Sequence, residues 1–277
     1  MGKRIHMGGT MMVCKNCGTK LSDGLFCPEC GTRIDVGYDK EKYGPQGKLE
    51  EQKITTKIKL AGTKMVFENK ILIFEQEITV EGNAHLEFRN CKFVASECEA
   101  ILIRGKNVSI DFRNCCFEGE KSIVSGSYDL GNRLNLKFQN SAFIHDGTGK
   151  KENYLLRMCG KIYFENCFID KQKICKLVGL KWKSELEFQN CIITNDDCTP
   201  PDYPDDCLIL AKNAVVKFSN CFIRCFRKLL QEDKASSETF LFPFSRIAGD
   251  APNEPALINL LIENTYVDTY SYSNVLT

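Results

Sequence analysis

One eight-residue phrase recurs through this 277-residue chain and limits what it can fold into. It reads LEFRNCKF at Leu86–Phe93, IDFRNCCF at Ile110–Phe117 and LKFQNSAF at Leu136–Phe143. It returns as IYFENCFI at Ile162–Ile169, LEFQNCII at Leu186–Ile193 and VKFSNCFI at Val216–Ile223, with a worn copy, LIENTYV, at Leu261–Val267. The asparagines therefore recur every 24 to 30 residues, with a last step of 44. A fixed period in this range is the mark of stacked repeats, in which each unit buries its apolar face only against its neighbours.

Within each phrase the apolar residues alternate up to the asparagine, as in Leu86, Phe88 and Asn90, and then change parity, as in Cys91 and Phe93. Alternation means strand, and a one-residue change of parity requires a break in the pleat. Asparagine tolerates the left-handed backbone that such a corner needs better than other non-glycine residues. Each phrase thus reads as strand, corner, strand. A third apolar run precedes it, as in AILIRG at Ala100–Gly105, YLLRMCG at Tyr154–Gly160, ICKLVG at Ile174–Gly179 and CLILA at Cys207–Ala211. A leucine-rich repeat would need a helix-length return after the asparagine, which Phe-x-Asn-Cys followed at once by another strand does not offer.

Three short strands per repeat with a fixed asparagine corner resemble the right-handed parallel β-helix of the pectin-lyase-like superfamily, over roughly Lys57–Asp268. The resemblance implies a mainly β solenoid of about seven coils stacked about 4.8 Å apart. It also implies that Asn90, Asn114, Asn140, Asn166, Asn190, Asn220 and Asn264 form a hydrogen-bonded ladder inside the turn. FEN at Phe67–Asn69 reads as a degenerate first coil. Three interior stacks are expected: an aliphatic one through Leu86 and Ile110, a phenylalanine one through Phe88 and Phe112, and a small-residue one through Cys91, Cys115, Ser141 and Cys167. Ser141 and Thr265 replace cysteine by size in that last stack, so core packing explains it better than metal or redox chemistry.

The N-terminus carries a different signal. Cys14, Cys17, Cys27 and Cys30 form C-x2-C-x9-C-x2-C in two near copies, CKNCGTKL and CPECGTRI. Each pair is a tight turn aiming two sulfurs at one point, with Gly18 and Gly31 permitting the twist that follows. Four thiolates would close one structural, tetrahedral zinc site with no open position. Two disulfides, a rubredoxin-type iron site and a redox CxxC are the alternatives. The stretch Val13–Ile34 resembles the short zinc ribbons at the N-termini of many bacterial proteins. The domain reading is a zinc ribbon over 11–34, a flexible polar linker over 35–56 and the β-helix over 57–277. The N-terminal edge of the β-helix reads as capped by Lys53–Lys64.

The formal net charge of +1 leaves no electrostatic footprint for nucleic acid or an anionic membrane. No apolar run reaches membrane-spanning length, and the basic N-terminus lacks the apolar core of a secretory signal. With 16 cysteines, four of them at metal spacing and no export signal, the chain reads as cytoplasmic, with its remaining thiols reduced.

Function must come from outward positions, since the interior is filled. One outward row, from Glu87 and Asp111 to Lys217, mixes signs as a solvated face does. The insertion Thr194–Cys207 gathers Asp196, Asp197, Asp202, Asp205 and Asp206; it reads as a solvated turn, with a divalent-cation site as the sharper alternative. His6, His85 and His145 each stand alone in the sequence. The row Phe168, Ile192, Phe222 and Tyr266 is apolar and outward, so something covers it. The candidates are the insertion Arg224–Ala256, with FRKLLQEDKASS as an amphipathic helix, a protein partner, or a second copy of the chain. The expected function is a non-catalytic, zinc-binding scaffold that holds a macromolecular partner. The alternatives are a carbohydrate-active enzyme of the lyase or hydrolase type and a self-assembling structural protein.

Overall fold

A computed structural model of the chain describes residues 17–20, 42–119, 121–126, 134–145, 154–158, 160–171, 176–180, 184–195, 207–211, 214–225, 228–232, 244–245 and 259–268. The chain divides into two compact units, Met1–Asp39 and Lys40–Thr277. The second is a mainly β solenoid in which every strand pairing is parallel and each strand is hydrogen-bonded to its counterparts one coil away.

Three sheets make up the walls. The first holds the strands that run into the asparagine corners, among them His85–Arg89, Val108–Arg113 and Lys161–Glu165. The second holds the strands that leave them, such as Cys116–Glu118, Phe168–Lys171 and Ile192–Asn195. The third holds the upstream apolar runs, such as Ile101–Ile103 and Lys176–Leu180. They contain eight, nine and nine described strands, more than the seven coils read from the asparagines. One extra strand in each sheet comes from an early coil whose strands carry little hydrophobic signature; the second sheet also holds Lys70–Phe74, after Asn69, and the third also holds Phe244–Ser245. Glu50–Ile54, Ile58–Ala61 and Lys64–Glu68 open the second, third and first sheets. Lys53–Lys64 is therefore part of the first coil and not a cap over it.

The interior follows the repeat. Phe67, Phe88, Phe112, Phe138, Phe164, Phe188 and Phe218 stack face to face with ring centroids 4.6 to 5.1 Å apart. That spacing is the strand separation itself, so an identical side chain in each coil is also an aromatic stack. Phe93, Phe117 and Phe143 form a second column whose rings meet the first edge-on, at 4.9 to 5.6 Å. From Ile169 onward isoleucine takes over this second column. The cysteine column is buried from Cys91 to Cys221. Its thiols point at backbone carbonyls, as Cys91 Sγ does at Arg89 O (3.2 Å), and Ser141 Oγ accepts from Cys115 N at 3.1 Å. Burial pushes the Cys91, Cys115 and Cys191 thiols above the ordinary range, so they are inert packing groups.

All seven repeat asparagines, and Asn69 in the first coil, have φ between 45° and 55°. The left-handed corner is thus present, but its side chains lie on the outside of the turn and not within it. Asn140, Asn166, Asn190 and Asn220 are exposed. The chain bends around the core at each corner, and a left-handed residue there turns its Cβ to the convex side. Ladder bonds run along this outer edge, from Asn90 Nδ2 to Asn69 Oδ1 (2.7 Å) and from Asn166 Nδ2 to Asn140 Oδ1 (3.3 Å). The corner backbone is held as well: each asparagine N–H donates to the carbonyl just before the next coil's asparagine, as Asn90 does to Arg113 at 2.8 Å. A second, shorter ladder, Asn107 Nδ2 to Asn83 Oδ1 at 3.1 Å, turns the chain from the third sheet into the first.

The segment expected to be an amphipathic helix contains instead the strand Lys228–Glu232, paired in parallel with Cys207–Ala211. The apolar pair in KLLQE suits either period, and the open edge of the third sheet decides in favour of strand.

Candidate functional site

The outward apolar row was the leading candidate for a binding face. The register confirms the row: Cys116, Ala142, Phe168, Ile192, Phe222 and Tyr266 are successive partners along the second sheet. Phe168, Ile192 and Phe222 are nevertheless only 1%, 6% and 2% exposed within the single chain. Part of the cover comes from the segment expected to be a free linker. Tyr43 lays its ring against Phe168, with centroids 5.9 Å apart. Gly44 N donates to Asn140 O at 2.9 Å, and Gln46 exchanges two bonds with the Asn90 side chain, N to Oδ1 at 2.5 Å and Nδ2 to O at 2.8 Å. The chain then enters the strand Glu50–Ile54. Lys42–Leu49 is therefore a strap running down the second sheet from Phe168 to Asn90.

Gly44 is where the strap takes a left-handed backbone. Its φ is +96°, and a Cβ there would sit 3.4 Å from Cys116 Cβ and 3.8 Å from Ala142 Cβ. Those are ordinary contact distances, and it is the left-handed backbone that favours glycine there. Beneath it the Cys116 thiol is pushed up to about 12, chiefly by burial and then by the Glu118 carboxylate.

On the first sheet the outward polar residues pair with one another within a strand and across coils. Glu87 takes a bidentate contact from Arg89 (2.8 Å to each oxygen) with Arg113 3.9 Å away. Lys217 lies 3.6 Å from both Glu187 and Glu263, and Lys161 lies 2.7 Å from Glu185. His85, isolated in the sequence, faces Asp111 at 3.9 Å. The Arg89 guanidinium holds the Glu87 carboxyl below its usual range. These are rungs of a charge ladder, worth about 0–1 kcal/mol each where exposed, and they do not converge on one point.

Of the four ribbon cysteines, Cys17 lies within the described residues; Cys14, Cys27 and Cys30 lie outside them. Cys17 is exposed on a turn, and Gly18 directly after it has φ +74° with open space around its Cα. Among the described residues no three metal-ligating side chains cluster, and these residues hold only one of the four thiols. In the aspartate-rich insertion, residues 196–206 lie outside the described residues; at its start Thr194 donates to Asp170 Oδ1 at 3.3 Å. Among the described residues no helix is long and apolar enough to cross a membrane.

No protein-family model, no curated protein and no solved structure matches this chain.

Proposed function

We propose that this chain is a non-catalytic scaffold in which a β-solenoid carries an N-terminal zinc ribbon that holds a macromolecular partner. The observation that carries the reading is the strap. Tyr43, Gly44 and Gln46 are fastened to Phe168 and to the corner residues Asn140 and Asn90, so this stretch is held against the solenoid. A loose tether would need none of these contacts. The ladder of mutually paired charges supports the same reading, because acid and base groups engaged with each other across coils build a wall. Cys14, Cys17, Cys27 and Cys30 would hold the zinc, and the metal would supply the cross-link that so small a module needs in order to fold.

The test uses the full chain, a form lacking residues 1–39, and Cys27→Ser, each as bait against extract of the source cell, with bound proteins identified. A partner retained by the full chain and lost from both variants is expected. Retention by all three would move recruitment to the solenoid. A polysaccharide turnover that disappears in the Asp196→Ala/Asp206→Ala double variant would overturn the non-catalytic reading.

A further inference from the structure

The corners of the solenoid differ in charge, which a formal net charge of +1 conceals. Seven connectors, from 62–63 to 212–214, turn the third sheet into the first. They hold six basic residues, Arg104, Lys106, Arg133, Lys181, Lys183 and Lys212, against one acid, Asp129. The connectors that turn the second sheet into the third hold more acids than bases. In-register parallel pairing sets each connector one coil beyond the last, so the basic ones form a file about 19 Å long from Arg104 to Lys212. The corner at 104–107 shows how such charges are presented. Arg104 N and Gly105 N both donate to Val80 O, at 2.8 and 3.2 Å, and a Cβ on Gly105 would meet Glu81 O at 1.8 Å. The backbone is pinned against the coil before it, and Arg104 and Lys106 stand exposed on either side of the glycine. Among the described residues neither is in an ion pair, whereas the charges of the first-sheet wall are engaged with one another. The other four basic residues lie outside the described residues. Each is the chain neighbour of a described residue at this corner (Leu134, Leu180, Ser184 or Ala211), so its Cα is within about 3.8 Å of a fixed point. Ser184 is itself buried and accepts from Gly160 N at 3.2 Å.

We propose that this file of cations is a binding edge for single-stranded nucleic acid, whose phosphates run along it from coil to coil. Fixed cations in a straight row match a linear polyanion, and binding releases the counterions that such a polymer condenses. Nucleic acid is favoured over an anionic lipid surface on two grounds. The file is one corner wide, a line and not a face. It also contains Lys181-Trp182-Lys183, in which the only tryptophan of the chain stands between two lysines. A base stacked on an indole, with a cation for the phosphate on each side, is the combination that single-strand binding uses without reading sequence. The acids that bring the net charge near zero belong mostly to another corner, so net charge alone does not reveal this edge. The edge is part of the solenoid and does not depend on the ribbon.

Trp182 supplies the readout. Titrating the full chain with oligo(dT) or oligo(U) of about 12 nucleotides should quench its fluorescence saturably, and the two arms tell DNA from RNA. The affinity should fall with salt, with a log–log slope of about −4 when all six cations each meet a phosphate. Arg104→Glu/Lys106→Glu reverses two exposed charges, so it should weaken binding at least about tenfold and make the slope shallower. Trp182→Leu, followed by the anisotropy of a labelled oligonucleotide, should weaken binding and leave the slope as it was. Lys48→Glu reverses an exposed lysine of the strap and should change neither quantity. Cys27→Ser should also change neither, which separates this edge from recruitment through the ribbon. Circular dichroism checks that each variant folds. Absence of saturable binding, binding without quenching, preference for phosphatidylserine vesicles over the oligonucleotides, or indifference to Arg104→Glu/Lys106→Glu would overturn the proposal.

Discussion

The phenylalanine column makes a prediction whose size follows from its geometry. Phe138 is fully buried, lies 4.6 Å from Phe112 and 4.8 Å from Phe164 in near-parallel stacks, and meets Phe117 and Phe143 edge-on at 5.6 and 5.1 Å. Truncating a buried phenylalanine to alanine costs about 3–5 kcal/mol in transfer and cavity terms. Four ring partners at favourable geometry place Phe138→Ala at the top of that range, about 5 kcal/mol. Phe218 is equally buried but stacks on one ring, Phe188 at 5.0 Å, with Ile262 on its other side. Phe218→Ala should therefore cost less, about 3 kcal/mol. Urea unfolding followed by circular dichroism ranks the two. Native-state hydrogen exchange should show the Phe138→Ala loss in the adjoining strands Val108–Arg113 and Lys161–Glu165 first, because a solenoid transmits stability between neighbours. A Phe138→Ala cost under about 2 kcal/mol, or one no larger than that of Phe218→Ala, would refute the idea that the column is the energetic core.

Three further outcomes follow from the strap, the thiols and the charge ladder. Gly44→Val forces a β-branched residue to φ +96° against Cys116, so it should lift the strap and make Cys116 the first repeat thiol to react with iodoacetamide, read by peptide mass spectrometry. In the parent, Cys91, Cys115 and Cys191 should stay unmodified at pH 8 while the protein is folded, since burial raises all three thiols; rapid labelling without unfolding would contradict their place in the core. Glu87 is held below its unfolded value of 4.5, so the stability it adds is present above that pH and is lost as pH falls through the lower folded value. Glu87→Gln should therefore flatten the acid limb of the stability–pH curve, and an unchanged slope would show that the Arg89 contact does not matter.

Much of the solenoid was legible in the sequence because the signals that encode it are periodic and local. The register of Leu86, Phe88 and Cys91 with their counterparts follows from identity at fixed spacing, and the left-handed corner follows from asparagine. The side of the corner on which asparagine lies did not follow, because parity tells which residues share a face only while the pleat is unbroken. Lys42–Leu49 reads as a linker because its attachment uses backbone groups, one tyrosine and a glycine, none of which gives a hydrophobic period. Lys228–Glu232 reads as a helix because its choice is made by the sheet edge it completes. A cover over Phe168 is expected from the insertion Arg224–Ala256, a partner or a second copy; the cover Tyr43 supplies, 125 residues upstream, carries no mark in the neighbourhood of the repeat.

The proposed function requires that the ribbon, held by metal, and the solenoid, held by its own core, have separate sources of stability. The most direct measurement is metal content together with circular dichroism before and after chelation. About one zinc per chain is expected, lost on chelation and absent from Cys27→Ser, with the β-sheet signal and its unfolding midpoint unchanged. A chain that purifies without zinc, or a solenoid that unfolds when the metal is removed, would contradict it.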